Sequence, residues 1–255
     1  MVNSASMVLE LDGISKSYGS IQAVSGASLS IRPGEVMALV GDNGAGKSTL
    51  VKIVGGAVQP TSGRIILDGR DMVFNTPLEA RNLGIETVYQ DLALAPHLSV
   101  VQNMFLGREV VRRGWPGRLF GTLDVKSMRD TAERELNQLG VTIKSLTQPV
   151  ADLSGGQRQA VAVARSAVWG NRLLILDEPT NHLGVQEVAM VLNLIRQVRD
   201  RGVACLYITH TLPHVFEVAD RIAVMYLGSI SVVLERSTTN MDEVVSYITG
   251  TKVSA

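Results

Sequence analysis

Short apolar runs alternate along this chain with segments of helical character. The runs that predict buried strands are residues 36–40, 85–90, 173–176, 203–208 and 222–226. The segments that predict helices are residues 50–58, 76–83, 185–200, 212–219 and 242–248. Because strands that alternate with helices pair in parallel, this pattern predicts an α/β fold with a mainly parallel sheet.

The N-terminal part of the chain departs from this alternation, because its strands follow one another without helices. Residues 7–11 predict a short strand that ends at Gly13, and residues 21–31 alternate loosely, as a half-buried strand does. A turn at residues 60–63 leads into a further strand at residues 64–67.

In the middle of the chain, helical segments follow one another without strands. Between Asp91 and Leu153, the segments 99–106 and 125–139 look helical and no convincing strand lies between them. We therefore predict one domain over residues 7–250. Its predicted parts are a core at about 7–90 and 171–250, an inserted helical lobe at about 91–170, and tails at 1–6 and 251–255.

Composition and charge exclude several classes of protein. The 255 residues include 24 basic and 24 acidic side chains, so the overall charge favours neither nucleic acid nor anionic lipid as a partner. The basic segment 112–118 is short and isolated, and we interpret it as a solvated loop. No apolar run approaches the ~18–20 residues that span a bilayer, and no signal peptide is recognisable. We expect an intracellular protein that inserts into no membrane itself, with Cys205, its single cysteine, as a buried and unreactive thiol.

A polar, glycine-rich segment lies between an apolar run and a helical segment. It matches the phosphate-binding pattern G-x-x-x-x-G-K-[ST] in strand–loop–helix context, and it reads Gly41-Asp42-Asn43-Gly44-Ala45-Gly46-Lys47-Ser48-Thr49. The glycines let successive backbone N–H groups point inward, and the N-terminus of the following helix adds partial positive charge. We predict that Lys47 reaches the β- and γ-phosphates of a nucleotide and that the Ser48 hydroxyl binds Mg²⁺.

Two adjacent carboxylates, Asp177 and Glu178, follow four apolar residues. A carboxylate at the carboxyl end of a central parallel strand lies where open α/β sheets bind their ligands. Asp177 suits the coordination shell of Mg²⁺, and Glu178 is placed to accept a proton from the water that attacks the γ-phosphate.

A third segment, Leu153-Ser154-Gly155-Gly156-Gln157, opens an amphipathic helical segment. Ser154 can cap that helix, and two glycines allow a backbone to approach an anion closely. A Ser-Gly-Gly helix start alone gives weak support for a second anion site. The presence of all three segments in this order gives strong support.

The three segments together resemble those of the ATP-binding cassette (ABC) family of transporter ATPases. Gly41–Thr49 resembles its Walker A loop, Leu173–Glu178 its Walker B strand, and Leu153–Gln157 its signature, which other P-loop families lack. The resemblance extends from about Val8 to Gly250. It implies a P-loop NTPase (RecA-like) core with a mainly parallel sheet, an N-terminal antiparallel β part and an inserted helical subdomain.

The resemblance assigns further site residues. Tyr18 resembles the aromatic residue that stacks on adenine, with Val24 nearby. Gln90 resembles the lid glutamine that senses Mg²⁺ and the γ-phosphate, and His210 resembles the switch histidine that contacts the γ-phosphate. The other three histidines gain no catalytic role from this comparison.

One position departs from the family pattern, and it narrows the resemblance. Gly184 in Asn181-His182-Leu183-Gly184 stands where many members carry an aspartate that helps communication across the dimer. Because of this departure, the way in which the two subunits communicate is left open. The prediction of nucleotide binding is not affected. A glycine here, and the stretch Asp91–Glu109, are similar to ATPases of bacterial monosaccharide importers. With one Walker A loop and one signature, the chain resembles the single-cassette, fructose-type members.

The resemblance also implies an assembly. ATP and Mg²⁺ bind between Gly41–Thr49 of one subunit and Ser154–Gln157 of the other, in a head-to-tail homodimer. The helical lobe then passes the motion to membrane permease subunits, and Asp91–Arg108 is the candidate docking surface. A periplasmic sugar-binding protein completes the complex. The implied location is peripheral, on the cytoplasmic side of the bacterial inner membrane.

Three alternatives remain open at this point. The chain could serve another ABC importer or an exporter, although Asp91–Glu109 argues mildly against this. It could be a soluble ABC ATPase of translation or repair, although neither a second cassette nor a long coiled coil is visible. It could bind ATP as a sensor without hydrolysing it, although the intact Glu178 and His210 argue against this.

Overall fold

The structure, a computed structural model, describes residues 7–112 and 121–252. The predicted tail 1–6, most of the tail 251–255 and most of the loop 112–118 lie outside these residues. The strands are β1 Leu9–Tyr18, β2 Ile21–Ile31, β3 Val36–Gly41, β4 Ser62–Leu67, β5 Arg70–Met72, β6 Ile85–Val88, β7 Leu173–Asp177, β8 Ala204–Ile208, β9 Arg221–Tyr226 and β10 Ser229–Glu235. The helices are α1 Lys47–Val54, α2 Pro77–Asn82, α3 Val100–Met104, α4 Val125–Gln138, α5 Gly155–Trp169, α6 Val185–Asp200, α7 Leu212–Val218 and α8 Met241–Ile248.

The strands form two sheets. A six-stranded sheet has the order β10-β9-β3-β8-β7-β6, and its pairs are parallel except for the β9–β10 hairpin at one edge. A four-stranded antiparallel sheet has the order β2-β1-β4-β5. The predicted α/β fold with a mainly parallel sheet and an N-terminal antiparallel part is therefore confirmed.

The centre of the parallel sheet is built from the apolar runs of the sequence. Every residue of β3 and β8 is buried, as parallel strands covered by helices on both faces must be. Cys205 lies on β8 with no exposed surface, and burial raises the pKa of its thiol to about 12. The prediction of a buried cysteine is confirmed.

The middle of the chain is helical, as its sequence indicates. Helices α3, α4 and α5 fall between β6 and β7, and the described residues of this part contain isolated bridges but no strand. The capping box of Ser99 and Gln102 starts α3, and that of Ser154 and Gln157 starts α5. The bounds of a separate lobe at about 91–170 stay a prediction. None of the described helices is long and apolar enough to cross a membrane.

The predicted end of the first strand was wrong, and two strands were not predicted. Gly13 does not end the first strand, because β1 continues to Tyr18 through a register shift between Leu11 and Ile14. With φ of 62°, Gly13 takes up the extra residue of this bulge. Strands β5 and β10 were not predicted, since one is very short and the other follows the tight Leu227–Gly228 turn.

Candidate nucleotide-binding and catalytic site

The glycine-rich loop leaves the carboxyl end of β3 at the middle of the parallel sheet. Gly46 ends the loop with φ of 105°, a left-handed value that favours glycine, and α1 starts at the next residue. A Cβ on Gly46 would lie 2.5 Å from the Ala23 carbonyl oxygen and 2.7 Å from Met225 Cε. The loop is therefore held tightly between β2 and β9, while Asp42 and Ser48 remain exposed on its outer side.

Lys47 folds back over the loop that precedes it. Its ammonium group donates hydrogen bonds to the carbonyl oxygens of Gly41, at 2.7 Å, and Asp42, at 2.9 Å. Burial lowers the pKa of Lys47, and the carboxylates of Glu178, Asp42 and Asp177 oppose this shift. The ammonium thus sits over the backbone cradle and beside the acidic residues, where it can bind the phosphates of a nucleotide.

Asp177 is the last residue of β7, and Glu178 follows it at the same edge of the sheet. Burial raises the pKa of Asp177, and the neighbouring Glu178 raises it further, while Lys47 opposes the shift. Glu178 has a φ of 52°, which is uncommon for a residue with a side chain and costs on the order of 1–2 kcal/mol. Its backbone N–H donates to the Ile208 carbonyl oxygen of β8 at 2.9 Å, which fixes this turned conformation.

The side chain of Glu178 is held by the residues that follow β8. Its Oε1 lies 2.8 Å from His210 Nδ1, and the Thr209 hydroxyl donates to its Oε2 at 3.4 Å. The structure thus joins His210 to the carboxylate predicted as the general base. An exposed imidazole beside an oriented carboxylate is an arrangement that can position a water molecule and a phosphate oxygen.

The donor set suits a magnesium ion. Over residues 7–112 and 121–252, no group of three or more His, Cys, Asp or Glu side chains could hold a metal ion. Mg²⁺ at this edge would instead rest on Asp177, the Ser48 hydroxyl and phosphate oxygens, with Gln90 as a further candidate. It would also offset the repulsion between Asp177 and Glu178 that raises the Asp177 pKa.

The other predicted ligand residues lie on strands or shortly after one. Tyr18 ends β1 with 47% of its surface exposed, and Lys16 Nζ lies 5.4 Å from its ring centroid. Val24 is fully buried within β2, so its side chain lines the core. Gln90 follows β6 by two residues and is exposed.

The Ser154 segment forms the start of helix α5, and several of its backbone N–H groups already have partners within the chain. Ser154 caps α5: its hydroxyl accepts from the Gln157 N–H at 3.2 Å, and Gln157 Oε1 accepts from the Ser154 N–H at 3.1 Å. In the described part of the chain, no hydrogen bond joins residues 154–157 to the loop 41–49 or to Asp177 and Glu178. Residues 154–157 are therefore not tied to the loop by hydrogen bonds within the described chain.

Sequence reasoning missed Glu187 and Gly228, which support the two sites. Glu187 accepts hydrogen bonds from the Gly156 N–H, at 3.1 Å, and from the Gly184 N–H, at 3.0 Å. The Gly228 N–H donates to the Ala45 carbonyl oxygen at 3.0 Å and ties the loop to the β9–β10 turn. A glutamate three residues after a helix cap is half of a capping box, and this signal could have identified Glu187. Nothing in the sequence points to Gly228.

Two histidines without a predicted role differ in their surroundings. His214 Nδ1 lies 3.1 Å from the Thr180 hydroxyl, which in turn lies 3.3 Å from the buried Tyr207 hydroxyl. His182 is exposed, with a φ of 60°. This polar cluster of His214, Thr180 and Tyr207 holds Thr180, which lies two residues after Glu178 in the same turn.

A groove of about 750 Å³ separates β6 and α2 from the helical segment. Residues on its walls include Tyr89, Ala93, Leu106, Glu109, Arg165 and Trp169. Beside the groove, the buried Glu86 pairs with Arg108 at 2.6 Å and with Arg81 at 3.3 Å. Arg108 also lies 4.9 Å from the Trp169 ring centroid. Part of the predicted docking surface, Asp91–Arg108, lines this groove.

The fold, together with the glycine-rich loop that Lys47 covers, defines a P-loop nucleotide-binding protein. The model of one family, described as the ABC transporter, matches residues 24–181. This chain belongs to the ABC transporter family, as one of its ATP-binding cassettes.

Relatives and solved structures agree with this assignment. The fructose import ATP-binding protein FrcA of Rhizobium meliloti is 48% identical, over 96% of this chain and 95% of that protein. The xylose/arabinose import ATP-binding protein XylG of Sulfolobus acidocaldarius is 43% identical, over 95% of this chain and 94% of that protein. The structure of cbiO1 from Clostridium perfringens, part of the ABC transporter complex cbiONQ, superimposes with a TM-score of 0.78 at 26% identity, over 97% of this chain and 96% of that one.

Proposed function

We propose that this protein is the ATP-hydrolysing subunit of an importer for a monosaccharide such as fructose, ribose or xylose. The arrangement of Glu178 carries the proposal of hydrolysis. Its carboxylate is held by His210, at the sheet edge where Lys47 covers the phosphate loop. The similarity to FrcA and XylG supports sugar import as the process that hydrolysis drives.

In the proposed mechanism, positioning and charge neutralisation do most of the work. Backbone N–H groups of Gly41–Thr49 and the ammonium of Lys47 bind the β- and γ-phosphates, and Tyr18 offers its ring to adenine. Ser48, Gln90 and Asp177 would hold Mg²⁺, which would neutralise charge on the phosphates. Glu178 accepts the proton of the attacking water, and His210 keeps the carboxylate oriented.

The active unit is a head-to-tail homodimer in the ATP state. Ser154–Gln157 makes no hydrogen bond to the phosphate loop within the described chain, which supports an arrangement in which a second copy brings the two segments to one triphosphate. ATP then bridges two chains, and loss of the γ-phosphate weakens the bridge. A cassette that shares this fold, MJ0796, forms a dimer in a state bound to ADP and Pi.

The groove beside Trp169 receives a segment of a membrane permease. Its apolar wall residues suit a short amphipathic segment, and its charged rim gives orientation. This docking keeps the subunit peripheral on the cytoplasmic side of the inner membrane. A periplasmic sugar-binding protein delivers the sugar to the same complex.

The transport function is tested in the source cell. Deletion of the gene should abolish growth on one monosaccharide, and the parent gene should restore it while Lys47→Ala should not. Normal growth on all monosaccharides, with loss of uptake or efflux of another solute, would favour a different ABC importer or an exporter. Failure of the active ATPase to co-purify with any membrane protein from the source cell would favour a soluble ABC ATPase, and ATP binding without phosphate release would favour an ATP sensor.

The groove is tested separately with Leu106→Asp, on a residue that is 42% exposed. Leu123→Asp is the matched control, because Leu123 is 40% exposed in the same helical part of the chain but does not line the groove. Leu106→Asp should lose co-purification with the permease while keeping the ATPase activity of the free subunit. Equal losses in both variants would contradict docking in the groove.

A further inference from the structure

One carboxylate joins the starts of two helices next to the Ser154 site. Glu187 Oε1 accepts from the Gly156 N–H in the first turn of α5 at 3.1 Å. Glu187 Oε2 accepts from the Gly184 N–H, just before α6, at 3.0 Å. The side chain thus links the start of α5 to the loop 181–184, which begins three residues after Glu178.

The packing around this carboxylate is close. A Cβ on Gly156 would lie 2.6 Å from Glu187 Cγ and 2.7 Å from Glu187 Cβ, so the intrachain contact alone requires a glycine there. The Gly184 and Gly156 N–H groups lower the pKa of Glu187, and Ser154 and Arg158 add to the shift. Glu187 is therefore ionised at neutral pH, and an anion already lies against the start of α5.

That contact conflicts with binding of a second anion. The Gly156 N–H has a single hydrogen, and the carboxylate of the same chain holds it. A phosphate of the partner's ATP needs donors at this helix start, and it carries the same sign of charge as Glu187. Both anions cannot take the full hydrogen bond together, since like charges at this distance repel.

We propose that Glu187 is a positioning residue that holds the Gly156 N–H in the separated subunit and yields it to the γ-phosphate bound by the partner. This inference rests on the proposed homodimer. Closure must displace Glu187 Oε1 from Gly156 while Oε2 remains on Gly184. The arrival of phosphate at α5 is thereby transmitted to the loop 181–184 and to the turn that carries Glu178.

The test measures ATP-dependent dimerisation in a Glu178→Gln background, which hydrolyses ATP too slowly to disassemble. Glu187→Gln keeps the shape of the side chain and removes its charge. It should lower the dimer dissociation constant in saturating Mg-ATP by about 3–10-fold, since a charged competitor is replaced by a weaker neutral one. The affinity of the monomer for ATP should not change. Glu133→Gln removes the same charge from an exposed position on α4 and should alter neither value.

A purely structural role of Glu187 predicts the opposite sign, because damage to the two helix starts would weaken the dimer. Glu187→Ala also removes the competing charge and should tighten the dimer in the same direction. Unchanged or weaker dimerisation of both variants overturns the role of Glu187 and leaves the homodimer standing. Absence of any ATP-dependent dimer in the Glu178→Gln parent overturns the proposed homodimer, and the role of Glu187 with it.

Discussion

The carboxylate of Glu178 and the imidazole of His210 are joined at 2.8 Å, from Oε1 to Nδ1. The two partners differ in exposure, since 16% of the Glu178 side chain and 61% of the His210 side chain are accessible to solvent. The carboxylate predicted as the general base is thus sheltered after the end of β7, while the imidazole beside it is largely exposed to solvent. Each partner can be tested by a substitution that leaves the other in place.

Glu178→Gln should bind ATP with unchanged affinity but release phosphate about 10²–10⁴-fold more slowly, because the amide cannot accept the proton of the attacking water. Phosphate release and nucleotide affinity are measured on the same preparation. The control is Glu217→Gln, which changes an exposed residue of α7 that pairs with Arg196 of α6, and it should retain full turnover. Full turnover by Glu178→Gln would remove Glu178 as the general base.

His210→Ala should slow hydrolysis by about 10–100-fold, since Glu178 loses the partner that orients it. The variant should remain folded, because the imidazole is largely exposed. His97→Ala changes an exposed histidine away from Glu178 and should leave the rate unchanged. If His210→Ala hydrolyses ATP at the parent rate, the contact with Glu178 has no catalytic consequence.

Lys47→Ala should weaken ATP binding at least about 10-fold, because the ammonium over the loop supplies charge-assisted hydrogen bonds to the phosphates. Binding of a fluorescent ATP analogue gives the dissociation constant. Lys52→Ala, on an exposed position of the same helix, should change it by less than about twofold. Equal affinity of Lys47→Ala and the parent would exclude Lys47 from phosphate binding.

Ser154→Arg should leave ATP binding by the monomer within about twofold of the parent and abolish the ATP-dependent dimer, because it places bulk in the second anion site. Loss of the Ser154 cap alone costs ~1 kcal/mol, so the fold should persist. Ser127→Arg, an exposed position on α4, is the control for added charge and size. Loss of monomer binding in Ser154→Arg would contradict an arrangement in which this site serves the partner's ATP.

Asp177→Asn should raise the melting temperature of the nucleotide-free protein and abolish Mg²⁺-dependent hydrolysis. The folded-state pKa of Asp177 is raised by burial and Glu178, so the protonated form favours folding and stability is lost as pH rises through that pKa. Asparagine removes this penalty, so the gain in melting temperature should be larger at pH 7.5 than at pH 5. Asp130→Asn, at an exposed position on α4, should show no such dependence. A lower melting temperature for Asp177→Asn at both pH values would contradict the predicted penalty of an ionised carboxylate at this position.

The elements that a sequence predicts well here are those governed by local pattern. Helix α6 was predicted with its observed bounds, Val185–Asp200, because its periodicity is long and a glycine precedes it. The bulge at Gly13 was not predicted, since a glycine in a strand signals either an end or a bulge, and only pairing with β2 decides.

The candidate site follows the same division. Lys47, Asp177 and Glu178 were found from the loop and strand-end patterns, because their chemistry is carried by their neighbours in sequence. Val24 shows the limit: it lies at the predicted place on β2, but alternation cannot show that its side chain points into the core. The contact of Glu187 with Gly156 spans 31 residues and is visible only in three dimensions.

The ion pair of Glu86 and Arg108 constrains how the helical segment can move. Glu86 belongs to β6 of the sheet, whereas Arg108 follows α3 and also packs on Trp169 at the end of α5. Pulling the segment away would break this 2.6 Å ion pair and leave the buried carboxylate with the longer contact to Arg81, at 3.3 Å. The pair therefore anchors the helical segment to β6 at a point beside the groove.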